Sequence, residues 1–292
     1  SNKNLLKIFN KNKNFKHKKL DIVNFKLLRS YVLKIKPDLI INFAAESHVD
    51  NSINSPKKFI NSNIFGTYNL LEIARLVFSK KKKFKYIQIS TDEVYGDLKL
   101  SDKSKFNEKT AYNPSSPYSA SKASADLLVK AWGRTFKLPI IITNSSNNFG
   151  YYQNKEKLIP KTILSILKGK KIPIFTSGNQ VRNWIFVEDN VNAIFKIIKK
   201  GVIGESYNIG SKTELSNIKL VKLICYELSK YKNYTYQRNL GLIKHVRDRP
   251  GHDKKYSINV KKLKKLGWVE RADFKKAIKK TIKWYVENKN EY

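Results

Sequence analysis

Short apolar runs of strand length recur along this 292-residue chain, at 39–43, 86–89, 140–142 and 206–209, and the stretches between them carry apolar residues at helical spacing. A run of four or five such residues suits a strand buried on both faces, and a strand that returns parallel to its neighbour needs a crossover long enough to hold a helix. That alternation predicts βα units around a parallel sheet, an α/β fold. The spacing predicts one helix over 59–78, with Ile60, Ile64, Leu70, Leu71, Ile73 and Ala74 on its apolar face. It predicts another over 119–136, with Ala120, Ala123, Leu127, Leu128 and Ala131, which Pro117 is placed to start. After Gly150 the elements shorten, with helices expected over 158–167, 188–198, 215–228 and 272–286. We therefore expect a larger unit over 1–150 and a smaller one over 151–292, with the segment near 184–210 returning to the first.

Polar residues gather where those strands end, at Ala45-Glu46-Ser47-His48, at Thr91-Asp92-Glu93 and at 144–148. In open α/β sheets, ligands sit beyond the carboxyl ends of the strands. Ser90-Thr91-Asp92-Glu93-Val94-Tyr95-Gly96 sets two adjacent carboxylates at such an end. Tyr118-Ser119-Ala120-Ser121-Lys122 places a phenol and an ammonium four residues apart on one helix face. A lysine near a tyrosine hydroxyl stabilises the phenolate, so Tyr118 is a candidate base although a free phenol titrates at about 10. Either half alone is common: Tyr-x-x-x-Lys arises by chance, and Thr-Asp at a strand end caps turns. Their order on a strand and the helix after it carries the chemistry, which suits alcohol oxidation by hydride transfer.

Composition narrows the alternatives. The longest apolar runs, such as 39–45 and 138–143, are too short to span a bilayer, and no signal-peptide pattern opens the chain, so a cytosolic location without membrane contact is expected. One cysteine, Cys225, and four scattered histidines offer neither an internal disulfide nor a metal centre. The formal charge of +36 raises nucleic-acid binding, but the excess is almost all lysine spread through every segment, and no docking motif accompanies it. No nucleic-acid partner is expected.

At Ala44-Ala45-Glu46-Ser47-His48-Val49-Asp50-Asn51-Ser52, at the Thr-Asp-Glu and Tyr118–Lys122 motifs and at Asp248-Arg249-Pro250-Gly251-His252-Asp253, the sequence resembles the dTDP-glucose 4,6-dehydratases, extended short-chain dehydrogenases/reductases. The likeness continues through 144–150, 156–160, Arg182-Asn183-Trp184 and Tyr207-Asn208-Ile209-Gly210, covering essentially the whole chain. It implies a Rossmann-like doubly wound parallel sheet with a smaller mixed α/β substrate domain, bound NAD, a nucleotide-sugar substrate and a homodimer. Thr-Asp-Glu is the discriminating feature, because related nucleotide-sugar 4-epimerases need no acid or base for dehydration. UDP- or CDP-glucose 4,6-dehydratases remain alternatives, as does a 4-epimerase and, more distantly, a basic nucleic-acid-binding protein.

Carried onto this sequence, the resemblance makes Tyr118, with Lys122, the base at the sugar 4-hydroxyl. Glu93 becomes the base at C5, Asp92 the acid at the 6-hydroxyl, and Thr91 a partner of the 4-oxygen. Asp21 and Ile22 would touch adenine, and Phe43, Ala44, Ala45, Glu46, Ser47, Ser62 and Asn148 would line the cofactor together with Tyr118 and Lys122. Ser47, Thr91, Asn147, Lys157, Leu158, Pro173, Ile174, Phe175, Asn208, Asp248, Pro250, Gly251 and His252 would surround the substrate, with Arg182 and Arg249 on its diphosphate. Two positions depart from the pattern: Asn183 stands where Asp is usual, and Tyr151 where Pro is. No Gly-x-x-Gly-x-x-Gly turn follows an opening strand, so we expect the first βαβ unit to be missing and this stretch alone to bind NAD poorly and to be inactive.

Overall fold

In the computed structural model, which describes residues 9–289, the four expected apolar runs form one parallel sheet. Its strands are β1 (Leu39–Asn42), β2 (Lys85–Thr91), β3 (Ile140–Ser145) and β7 (Ser206–Ile209), in the order β1-β2-β3-β7. Register pairs Tyr86 with Ile140 and Ile87 with Ile141, so successive residues alternate between two buried faces. Tyr86, Ile140 and Ile142 pack with Leu28, Leu70, Leu71 and Val129 from α1 (Phe25–Ile35), α4 (Gly66–Lys80) and α5 (Pro117–Phe136). Ile87, Ile141 and Tyr207 pack on the other face with Ile185, Ile194 and Ile197, the last two from α7 (Val187–Lys200), and with Leu263 and Trp268. The sheet is thus covered by helices on both sides, the doubly wound arrangement.

The smaller part has its own core of Phe149, Ile159, Ile163, Trp184, Leu220, Ile224, Ile278 and Tyr285. It is built by α6 (Leu158–Leu167), α8 (Asn217–Leu228) and α11 (Phe274–Glu287) against two small sheets. One is mixed: β6 (Val181–Phe186) runs parallel to β4 (Asn147–Phe149) and antiparallel to β8 (Glu214–Ser216). The other pairs β5 (Ile172–Phe175) parallel to β9 (Ile243–Val246).

Three details differ from expectation. The helix expected over 59–78 is three joined pieces: α3 (Pro56–Phe59), a π turn (Ile60–Phe65) and α4. The wider turn carries the buried Asn63, and such turns recur at functional sites. The helices expected from 215 and 272 start at Asn217 and Phe274, because Ser216 and Asp273 cap them by accepting from Lys219 N at 3.4 Å and Lys276 N at 2.9 Å. Ala120, Leu127 and Ala131, expected on an apolar face, are exposed. Helix α5 buries Ala123, Ala125 and Val129 instead.

Candidate active site

The carboxyl end of β2 turns directly into a single 3₁₀ turn, Asp92–Tyr95. Thr91 caps it: its hydroxyl accepts from Glu93 N at 3.2 Å and donates to Asp92 Oδ1 at 3.3 Å. The turn ends at Gly96 with φ 88°, where a Cβ would stand 2.3 Å from the Asn113 carbonyl, so only glycine fits. Asp92 is 1% exposed and its Oδ2 has no partner. Burial, and then the neighbouring Glu93 charge, push its carboxyl up to about 8, so it holds a proton at neutral pH. Glu93 is also raised by burial, but Arg182, Lys157 and Arg249 pull it back, and it opens onto the cleft. The two adjacent acids therefore sit in different environments.

Helix α5 delivers the other half. Pro117 opens it and Ser116 and Ser119 form a reciprocal cap, which fixes Tyr118 in the first turn with its N–H on Ser52 Oγ at 3.2 Å. The phenol lies against Thr91 and is raised by burial and by Glu93. Lys122 departs from expectation: its ammonium donates to the Ile89 carbonyl at 2.6 Å, not to the phenol. Burial lowers it and Asp126 opposes that.

The loop after β1 is clamped rather than loose. Asn42 Oδ1 accepts from Ala44 N at 3.1 Å. Asn63 accepts from Glu46 N at 2.8 Å and donates to Glu46 O at 3.0 Å and to Ser121 at 2.8 Å. Phe43 is thereby held 62% exposed at a cavity of about 370 Å³ shared with Thr91–Glu93, Tyr118, Asn147, Asn148 and Lys157. Ala44, Ala45 and Ser47 follow in that loop, and Lys157 Nζ donates to Ser47 O at 2.7 Å. Ser62 lies half-buried in the π turn.

A second cavity of about 240 Å³ adjoins the first through Glu93, Asn147 and Lys157. Leu158, Pro173, Ile174, Phe175, Arg182, Arg249 and His252 line it. Arg182 is anchored on Asp253 O at 2.8 Å and lies 4.2 Å over the Tyr256 ring. Arg249 pairs with Asp50 at 3.0 Å. His252, lowered by burial and by Arg249, is held by Asp248 at 2.6 Å. One wall is therefore cationic and suits phosphate oxygens.

Several expected residues stand elsewhere. Asn208 is a correction: it is fully buried, its side chain accepts from Tyr95 OH at 2.8 Å and donates to Phe106 O and Asn259 O, and it does not reach the cleft. Asp248 orients His252, while Pro250 and Gly251 shape the turn between; Gly251 has φ 63° and packs on Ser115 O. Asp21 accepts from Val23 N at 2.9 Å, a local turn bond, and Ile22 packs on Gly66. Neither lines the two cavities described above. The departure at Asn183 has a clear consequence, since its amide exchanges bonds of 2.8 and 2.9 Å with the Ser211 backbone. Tyr151 packs edge-on against Phe186 and at a tilt against Trp284.

The sequence reading missed Tyr256, whose hydroxyl donates to Asp253 at 2.5 Å and stands 3.5 Å from Glu93, and it missed Asn63. The only signal for Tyr256 was its place three residues beyond a motif already singled out. Among the described residues no group of three or more His, Cys, Asp or Glu is arranged for a metal, and no helix is long and apolar enough to cross a membrane.

A family model described as GDP-mannose 4,6 dehydratase matches residues 2–281. A dTDP-glucose 4,6-dehydratase of Haemophilus influenzae is 45% identical over 297 residues, covering 99% of this chain and 88% of that protein. An Escherichia coli K12 protein named dTDP-glucose 4,6-dehydratase 1 is 48% identical over 270 residues, covering 87% and 73%. Among solved structures, DesIV, a dTDP-glucose 4,6-dehydratase of Streptomyces venezuelae with NAD and TYD bound, superposes with TM-score 0.91 at 33% identity over 100% of this chain and 85% of its own. The dTDP-glucose 4,6-dehydratase of Bacillus anthracis in complex with NAD gives 0.84 at 38%, covering 98% and 85%.

Proposed function

The chain belongs to the GDP-mannose 4,6 dehydratase family, and we propose that within it the protein converts dTDP-glucose to dTDP-4-keto-6-deoxyglucose with bound NAD. The observation that carries this reading is the pair of adjacent carboxyls, Asp92 and Glu93, which line one cavity together with Tyr118 and stand in different environments. An epimerase needs neither carboxylate.

The first cavity fits a nicotinamide. Phe43, Ile89, Val187, Val191 and Ile194 offer apolar surface, while the buried Ser145 and Ser146 hydroxyls and Asn147 Oδ1 lack partners. A flat ring carrying a carboxamide matches that pairing of apolar and polar walls. Phe43, Ala44, Ala45, Glu46, Ser47, Ser62, Asn148, Tyr118 and Lys122 would hold the cofactor here, with Asp21 and Ile22 toward its adenine. NAD supplies the acceptor that takes a hydride from the sugar and later gives it back.

Acting as a phenolate, which burial disfavours and the Lys122 charge would favour once it reaches the phenol, Tyr118 takes the proton of the 4-hydroxyl as C4 loses its hydride, with Thr91 bonded to the same oxygen. The ketone formed acidifies C5. Glu93 removes the C5 proton while Asp92 gives its proton to the departing 6-hydroxyl, which leaves as water. Glu93 returns its proton to C5 as C6 regains a hydride, giving the 4-keto-6-deoxy sugar, and the net transfer of one proton from Tyr118 to Asp92 restores both groups. Arg182 and Arg249 hold the diphosphate, and Lys157, Leu158, Pro173, Ile174 and Phe175 the nucleoside. Residues 1–150 would thus serve mainly the cofactor and 151–292 mainly the nucleotide sugar, in a cytoplasmic homodimer that feeds deoxysugar synthesis.

Incubating the full-length protein, loaded with NAD, with dTDP-glucose should yield a product absorbing in alkali as 4-keto sugars do. UDP- and CDP-glucose, run in parallel, test the choice of base. No keto product from any of the three would sink the reading, and a 4-epimer would replace it.

A further inference from the structure

One carboxylate beneath the site joins the elements that carry the reacting groups. Asp126 lies one helical turn beyond Lys122 on α5 and is fully buried. A single oxygen, Oδ2, accepts from Ser90 Oγ at 2.6 Å, Tyr112 OH at 3.2 Å and Asn144 Nδ2 at 3.4 Å. The same Asn144 amide reaches Thr91 O at 3.3 Å. Strands β2 and β3, the segment leading into α5 and the helix itself all converge on that atom. The other oxygen, Oδ1, has no partner.

A bond hub alone does not call for an ionisable group, because a buried amide would collect the same donors without the cost of burying charge. What the charge adds is its effect on Lys122, for which Asp126 is the one group opposing the loss of the ammonium by burial. We propose that Asp126 is a positioning residue for the oxidation step: through Ser90 it sets the approach of Thr91 to Tyr118, and from one turn further along the helix it supports the Lys122 that grips the Ile89 carbonyl. The inference rests on the function proposed above.

The groups facing Asp126 are Lys122 and Lys130 on its own helix, Tyr118 at the head of that helix, Tyr95 and Tyr112 from the preceding segment, and Tyr86 from β2. Burial pushes its carboxyl up to about 6, with Lys122 and the Ser90 and Tyr112 bonds pulling back.

The test compares Asp126→Asn, which removes the charge, with Ser90→Ala, which removes one bond and keeps the charge. Hydride transfer is read as NADH absorbance in a single turnover across pH. With Asp126→Asn the alkaline limb should move down by about half a pH unit or more, and the rate should fall roughly tenfold. Ser90→Ala should lower the rate and leave the limb in place. Superimposable limbs for wild type and Asp126→Asn, or an equal shift with Ser90→Ala, would overturn the proposal. A second readout needs no turnover: because the folded carboxyl titrates above an unfolded one, the melting temperature of wild type should fall relative to Asp126→Asn as pH rises from about 4 to about 6. A constant difference would also overturn it. Should Asp126→Asn not fold, Tyr112→Phe strips one donor from the same oxygen and keeps the charge, so like Ser90→Ala it should leave the limb in place; a shift counts against the charge role. A wild type that makes no keto product sinks the function, whereas an active wild type with an unmoved Asp126→Asn limb sinks only this inference.

Discussion

At the scale of single residues, the site gives chain neighbours different environments. Asp92 and Glu93 are adjacent in the chain, yet one is sealed under the turn and the other opens to a wall of arginines and a lysine. Asp92→Asn and Glu93→Gln should leave substrate binding nearly intact and stop water elimination, read as NADH that accumulates without 4-keto-6-deoxy product. Tyr118→Phe should act earlier and cut the first hydride transfer roughly 10²- to 10⁴-fold. Asp92 also has a signature in stability. Its folded carboxyl titrates above the unfolded one, so its favourable contribution is complete below about pH 4 and is lost as pH rises toward about 8. Wild type should therefore lose stability relative to Asp92→Asn, on the order of 1 kcal/mol per pH unit across that window, measured by denaturant midpoints. A flat difference would show that Asp92 ionises normally.

Among elements, the two junctions that matter are the turn after β2 and the π turn before α4. Gly96→Ala forces a Cβ into the Asn113 carbonyl at a backbone angle that other residues avoid, and should cost upwards of about 1–3 kcal/mol in thermal unfolding. Asn63 is the π turn's contribution to the site, because it ties the loop at Glu46 to Ser121 on α5. Asn63→Ala should weaken NAD binding in calorimetry while leaving the nucleotide product's affinity unchanged; an unaltered NAD affinity would remove the loop from the cofactor site.

For the whole molecule, assembly and charge are the open physical quantities. Helix α4 with its π turn and helix α5 leave Phe65, Tyr68, Leu127 and Phe136 exposed by 54, 42, 57 and 39%. A second copy across a two-fold axis would cover that surface. Light scattering should report a dimer at micromolar concentration, and Leu127→Glu should shift it to monomer; a monomeric wild type would end the proposal. The formal charge of +36 spread over the surface adds attraction for an anionic nucleotide sugar, so its apparent affinity should weaken as salt rises.

Much of this was legible in the residues alone. Apolar runs predict β1, β2, β3 and β7 because a strand buried on both faces must be apolar throughout, and Pro117 with a serine before it marks a helix start from local geometry. Thr91, Asp92, Glu93, Tyr118 and Lys122 could be named because strand-end and helical spacing are short-range properties. Tertiary structure alone decided what depends on residues far apart in sequence: Tyr256 stands beside Glu93 across 163 positions, β5 pairs with β9, and Asn208 turns inward to Tyr95 although its motif suggested the cleft. It also decided that Lys122 meets a strand carbonyl before it meets the phenol. Burial, charge and hydrogen-bond partners are properties of the packed chain, and no local pattern encodes which distant group arrives first.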